Sequence, residues 1–198
     1  ILEKQQRVTV VNSGRIEEWL ARFSNDVQYY NFPAKVKRPP AGFLTPSEID
    51  TFMQASIQDE GRANYQTVLG KYLSELIWRS WGQGHNYFEL DVRNVGPVNN
   101  LIDRTKALRQ KPLILTIKGD LGMAIAKQST GIAMRVKGNV GNIGSNSEHG
   151  FYVVEGDVDM LPIYCDSSTF ILRGAVLSPN ELDYARNCAY AATRKETV

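Results

Sequence analysis

The chain has almost none of the side chains from which metal centres and disulfide frameworks are built: two cysteines and two histidines in 198 residues. Cys165 and Cys188 show neither CxxC spacing nor a neighbouring histidine, so a zinc site, an iron–sulfur site or a disulfide scaffold has no sequence support. They read as reduced, buried thiols of a cytoplasmic protein, and no metal or cofactor is expected. Charge of one sign is scarce as well. The 23 basic residues nearly balance the 21 acidic ones, leaving a net +2, far from the concentrated basic surface that nucleic-acid binding requires. Apolar runs of membrane-spanning length are missing, and so is the charged-then-apolar start of a signal peptide. Neither nucleic acid nor membrane is therefore an expected partner. With 42% of its residues hydrophobic, the chain can bury a core as one domain or as two small ones.

What the chain does have is a repeat. Gly119, Gly138, Gly156 and Gly174 follow one another at spacings of 19, 18 and 18 residues. Two positions before them stand Ile117, Val136, Val154 and Leu172, and four before stand Leu115, Met134, Tyr152 and Phe170. Two positions after come Leu121, Val140, Val158 and Val176. A period of two puts these side chains on one face of each strand, and a constant coil length stacks like on like. The spacing predicts a short β-helix from about Leu113 to Leu177, with each glycine at a corner where positive φ is called for. Gly122 and Gly141 repeat the pattern at a second position. The residues before the corners, Lys118, Lys137, Glu155 and Arg173, fall on the opposite, solvated face, the last three alternating in sign.

Such coils bury too little by themselves and need caps or cover. Ile114, Phe151, Val153 and Ile171 are apolar where a fully solvated face is polar, so this face is a candidate interaction surface, covered either by the chain's own helices or by a partner. Helices are available. Thr45-Pro46-Ser47-Glu48 is a capping box with proline in the first turn and opens a helix to about Gln58. A longer one is predicted from Asn64 to Trp81, packing through Tyr65, Leu69, Tyr72, Leu73, Leu76 and Ile77. Another is expected from Gly14 to Phe23. Residues 31–42, with three prolines, read as an extended connection, Tyr87 to Val92 as the first strand, and Asn99 to Arg109 as a polar turn. Ser178-Pro179-Asn180-Glu181 predicts a closing C-terminal helix with Leu182, Ala185, Ala189 and Ala192 on one stripe. The expected division is a helical part at 1–86 and a β-helix domain at 87–198.

No catalytic constellation emerges. Gly138-x-x-Gly141-x-x-Gly144 has the wrong spacing for a dinucleotide or Walker loop, and the equivalent Gly119-x-x-Gly122 marks it as a corner. His149, in a loop between coils, reads as a polar loop residue rather than an acid–base group. Asp120, Asn139, Asp157 and Asp159 have the chemistry of cation ligands but also that of ordinary turn residues beside glycine. Trp78 and Trp81, with Tyr72 and Tyr87, form an aromatic cluster at the boundary of the two parts, either a packed seam or, with His85, a candidate ligand pocket.

The runs Gly119-Asp120-Leu121-Gly122, Val136-Lys137-Gly138-Asn139-Val140-Gly141-Asn142-Ile143-Gly144 and Val154-Glu155-Gly156-Asp157, with Gly131 and Gly150, resemble the GXGXG repeat module. That module forms the C-terminal domain of the large glutamate synthase polypeptide and one of the polypeptides of formylmethanofuran dehydrogenase. The resemblance covers about Phe88 to Leu177. It implies a right-handed β-helix that packs against catalytic domains and contributes no catalytic residue itself. The expected function is thus a non-catalytic scaffold or accessory subunit binding a protein partner or its own copy, with an oxidoreductase of either kind as the setting the resemblance implies. The alternative is an enzyme or ligand-binding protein with a pocket between the helices and the β-helix.

Overall fold

The computed structural model describes residues 14–29, 40–108, 110–178 and 188–192. Its helices are α1 (Gly14–Tyr29), α2 (Pro46–Ala55) and α3 (Tyr65–Gly82), with a 3₁₀ turn at Ser56–Asp59. Helix α1 buries Ile16, Trp19, Phe23 and Val27, one stripe at helical spacing. The capping box of α2 is formed: Glu48 N–H donates to Thr45 Oγ1, and Thr45 N–H donates to Glu48 Oε2 at 2.8 Å. Helix α3 buries all six residues of its expected packing face. Tyr72 is the hub of this packing. Its ring meets Trp19, Phe23 and Phe52 at centroid distances of 6.2, 5.4 and 6.2 Å, and its hydroxyl donates to Asp26 at 2.6 Å.

The strands are β1 (Tyr87–Asp91), β2 (Leu113–Lys118), β3 (Ile132–Lys137), β4 (Val140–Asn142), β5 (Phe151–Val154), β6 (Val158–Met160), β7 (Thr169–Leu172), β8 (Val176–Ser178) and β9 (Ala189–Ala192). They form a parallel β-helix of about four turns. One sheet has the order β1-β2-β3-β5-β7-β9 and the second β4-β6-β8. The expected stacks are present. Ile117, Val136, Val154 and Leu172 pair in register, as do Leu115, Met134, Tyr152 and Phe170, and all eight are buried. Leu121, Val140, Val158 and Val176 pair along the second sheet, Val176 being half-buried.

The corner glycines have a different cause from the expected one. Of Gly119, Gly138, Gly156 and Gly174 only Gly119 has positive φ, at +110°. At the other three a Cβ would collide with the backbone of the preceding glycine in the stack, lying for Gly156 within 2.5 Å of the Gly138 carbonyl. Gly122 and Gly141 stack likewise, a Cβ on Gly141 reaching 2.9 Å from the Gly122 carbonyl oxygen. Glycine is needed because consecutive coils touch backbone to backbone there, a contact that a side chain prevents.

Two further expectations need correction. Residues 99–108 are not a free polar turn but the continuation of the first coil: Leu101, Ile102 and Ala107 are buried, and Lys106 bridges to Thr130. Residues 189–192 are strand β9, paired with β7, not part of a helix, while residues 179–187 of the expected closing helix lie outside the described residues. Alanines at helical spacing misled because pairing to the exposed edge of β7 outweighs helix propensity. The ring of Tyr190 completes a stack with Phe170 and Tyr152, at 5.1 and 5.0 Å between centroids. Most of the extended connection at 31–42 also falls outside the described residues.

The helices cap the first end of the β-helix and do not lie across its outer face. Helix α3 rests on residues 98–102: Ser74 Oγ accepts from Ile102 N–H at 2.7 Å, Asn99 N–H donates to Gln66 carbonyl oxygen at 3.3 Å, and Gly70 leaves room for the Asn99 carbonyl. From α2, Gln54 Nε2 donates to the Asp91 carbonyl oxygen at 3.0 Å. Buried side chains from Ile16 to Leu172 make one continuous core.

Candidate interaction surface

Period-two alternation turns one set of side chains of the large sheet into the core and the other set outward. Register arranges the outward set in rows. The first contains Tyr87, Ile114, Ala133, Phe151, Thr169 and Ala189. The second contains Glu89, Thr116, Arg135, Val153, Ile171 and Ala191. Asp91, Lys118 and Lys137 begin a third, charged row, which Glu155 and Arg173 continue one position beyond the last paired residues of β5 and β7.

All four residues expected on this face are there. Phe151 is 45% exposed, while Ile114, Val153 and Ile171 are half-buried. Ile114, Ala133, Phe151 and Val153 line a groove of about 330 Å³ with Arg135 and Arg173 at its rim. Tyr87, 49% exposed, extends the apolar row at the first strand. The alternation of β1 was the signal for it, but its assignment to the tryptophan cluster hid this placement. The apolar patch is framed by ion pairs. Glu155 pairs with Arg135 and stands 3.9 Å from Arg173. The hydrogen bond from Arg135 holds the Glu155 carboxyl below its ordinary range.

The expected aromatic cluster is only partly brought together. Tyr72 belongs to the helical core and Tyr87 to the sheet's outer face. Trp78 and Trp81 stack on each other at 4.8 Å, and the Lys111 ammonium sits 4.9 Å over the Trp81 ring while donating to the Trp81 carbonyl oxygen at 3.1 Å. Trp81 is 8% exposed, and His85 is half-buried near Phe43, ring centroids 6.4 Å apart. Of the three candidate pocket residues Trp78 is the most open, at 37% exposure. A groove between the helices and the β-helix does exist elsewhere, about 370 Å³ between Pro46, Ser47 and Asp50 of α2 and Tyr87, Glu89, Asp91 and Lys118. Its charges are largely spent on each other, Glu89 with Lys118 and Asp91 with Arg93. Burial, and then Asp91 nearby, raises the Asp50 carboxyl above an ordinary aspartate.

A third groove, about 640 Å³, follows the remaining side of the coils and is lined by Arg104, Lys106, Gln128, Thr130, Asn146 and Glu148. Its backbone is unusual. Arg104, Gln128, Asn146 and Tyr164 all have φ of 55° or 56°, and the first three donate N–H to the next coil at 2.7, 2.9 and 2.8 Å. Left-handed conformation costs a non-glycine residue about 1–2 kcal/mol, which these coil-to-coil hydrogen bonds help to offset.

The polar corner residues form a ladder, not a cation site. Asp120 Oδ1 accepts from Asn139 N–H at 2.7 Å, Asn139 Oδ1 from Asp157 N–H at 2.8 Å, and Asp157 Oδ1 from Ala175 N–H at 2.8 Å. Asp159 stands outside the ladder, exposed on β6. His149 is an exposed loop residue with φ of 52° whose N–H donates to the Asp166 carbonyl oxygen at 3.0 Å. Among the described residues no cluster of three or more His, Cys, Asp or Glu is placed to hold a metal ion, and no helix is long and apolar enough to cross a membrane. The two thiols, distant in sequence, meet at the last coil. Cys188 donates to the Cys165 sulfur at 2.6 Å, the Tyr190 hydroxyl lies 3.2 Å from that sulfur, and burial pushes the Cys188 thiol up to about 12.

No family model, curated protein or solved structure matches this chain. Its outer sheet face presents a partly exposed apolar row, and it is built on the parallel sheet, not on loops.

Proposed function

We propose that this protein is a non-catalytic scaffold or accessory subunit that assembles with a protein partner through the outer face of its large sheet. The observation that carries this is a continuous apolar row on a solvent-facing sheet: Phe151 and Tyr87, each about half exposed, flank a groove walled by Ile114 and Val153. Exposed apolar patches rimmed by charge are characteristic of interaction sites. Among the described residues one face of this parallel sheet is left largely uncovered, whereas such sheets are ordinarily covered on both sides.

The resemblance to the GXGXG module supports the same role, because that module packs against catalytic domains in glutamate synthase and formylmethanofuran dehydrogenase. An accessory place in an oxidoreductase of that type follows from it. Near-balanced charge favours a protein partner over nucleic acid or membrane, and two reduced thiols fit the cytoplasm.

Mass-resolved light scattering of the protein, alone and after affinity recovery from its native extract, tests the proposal. The wild type is expected to self-associate with rising concentration or to be recovered in a complex, and the Phe151→Asp/Val153→Asp variant to remain a folded monomer. Assembly unchanged in that variant contradicts the role.

A ligand-binding role is the alternative, and the groove between α2 and β1 favours it. A small amine would suit the Asp50 carboxylate there, Glu89 and Asp91 being paired with Lys118 and Arg93. Thermal stabilisation by a panel of small amines, abolished by Asp50→Asn, would support that role over the first.

A further inference from the structure

The outer face carries enough pattern to choose among occupants. We infer that its partner is a second copy of this chain, docked face to face about a two-fold axis parallel to the strands. This deepens the assembly role proposed above and rests on it.

Two sheets packed face to face keep their strands roughly aligned, which leaves two directions for a two-fold axis in the plane between them. An axis across the strands reverses the order of the rows. It would press Phe151 of one copy onto Glu155 of the other and Tyr87 onto Asp91, removing charges from water beneath aromatic rings. An axis along the strands keeps each row on itself and reverses the strand order instead. The sheet has six strands, so full overlap puts β1 on β9, β2 on β7 and β3 on β5 of the other copy.

That overlap matches large side chains with small ones. Phe151 of each copy faces Ala133 of the other, Tyr87 faces Ala189, and Ile114 faces Thr169. In the second row Thr116 faces Ile171, and in the third Lys137 faces Glu155. One exception is Lys118 against Arg173, at the charged edge where water and salt screen repulsion. Each of these two has an acidic neighbour in its own chain, Glu89 for Lys118 and Glu155 for Arg173. The others, in the second row, are Arg135 against Val153 and Glu89 against Ala191, where each charge keeps its own ion pair, with Glu155 and Lys118. The axis across the strands would instead set Arg135 on Arg135 and Glu89 on Glu89. Strands about 4.8 Å apart rising about 3.3 Å per residue give roughly 500 Å² of face per copy. The total of about 1,000 Å² sits at the lower limit of a specific interface. The dimer is therefore weak and concentration-dependent.

Isologous symmetry provides a sharp test, because each copy holds both halves of every facing pair. Sedimentation velocity over a concentration series is expected to show monomer passing to dimer for the wild type. Phe151→Ala, which empties the contact, and Ala133→Phe, which sets ring against ring, should each weaken the dimer about tenfold. The double variant A133F/F151A exchanges the pair and should recover affinity to within a few-fold. Tyr87→Ala should weaken the dimer as well, and circular dichroism confirms that each variant is folded. A wild type monomeric at every concentration overturns the second copy as partner, leaving the assembly role to stand or fall on capture of a different protein. Dimerisation that Phe151→Ala weakens but the double variant does not restore overturns the two-fold geometry and leaves the assembly role standing.

Discussion

Asp157 Oδ1 accepts the backbone N–H of Ala175 at 2.8 Å, from one coil to the next, as Asn139 Oδ1 does for Asp157 at the coil before. A short acceptor beside Gly119, Gly138 and Gly156 thus ties consecutive coils together where regular strand pairing is interrupted. Asp157→Asn preserves the acceptor and should leave stability within about 0.5 kcal/mol of wild type, whereas Asp157→Ala should lose about 1 kcal/mol. Urea unfolding of the two variants checks this, and equal losses would show that charge, not the hydrogen bond, is what matters.

The corner glycines make a steeper prediction. A Cβ at Gly156 would stand 2.5 Å from the Gly138 carbonyl, while one at Gly61 meets nothing within 4 Å. Gly156→Ala should destabilise by about 1–3 kcal/mol or more because the coils must separate, and Gly61→Ala should be close to neutral. Thermal unfolding of both variants decides it; similar midpoints would remove close approach as the cause of the glycine column.

Strand β9 depends on the stack of Tyr190 on Phe170. Tyr190→Ala should release β9 and leave β7 as an open edge, at a cost of roughly 3 kcal/mol confined to the last coil. Hydrogen exchange read by mass spectrometry should then show faster exchange at 169–172 with residues 113–118 unchanged. Uniform acceleration would mean that the last coil unfolds together with the rest.

Asp50 makes the pH prediction. Its carboxyl is raised in the folded protein by burial and by Asp91, so the folded protein binds its proton more tightly than the unfolded chain does. Ionisation of Asp50 therefore costs stability above its raised folded-state value, and the cost disappears as pH falls below the ordinary aspartate range. The group is partly solvated, so the gain from Asp50→Asn at neutral pH should be modest, about 0.5 kcal/mol, and absent in acid. Unfolding midpoints of the two proteins across pH test the sign.

The three inward stacks were readable because period two and constant coil length act together: Ile117, Val136, Val154 and Leu172 are apolar for the same reason at every turn. The outer face was readable too, since Phe151 and Val153 are apolar at positions that alternation turns to solvent. Arg104 and Gln128 were not readable as left-handed residues, because hydrogen bonds to neighbouring coils set their conformation and side-chain propensity does not. The place of the helices was hidden for a related reason. The apolar stripes of α1 and α3 show that the helices must pack somewhere, but only Ser74 and Gly70 meeting residues 98–102 show that they cap an end. The meeting of Cys165 with Cys188 depends on β9 pairing, which alanine-rich sequence disguised as helix.

Hydroxyl-radical footprinting of dilute and concentrated protein tests assembly through the outer face most directly. Phe151 and Tyr87 are about half exposed on that face, whereas Leu108 and Tyr164, at 60% and 57% exposure, lie away from it. On assembly, oxidation of Phe151 and Tyr87 should fall severalfold while Leu108 and Tyr164 react as before. Phe151 and Tyr87 oxidised equally fast in both samples, with Leu108 or Tyr164 protected instead, would contradict assembly through this face.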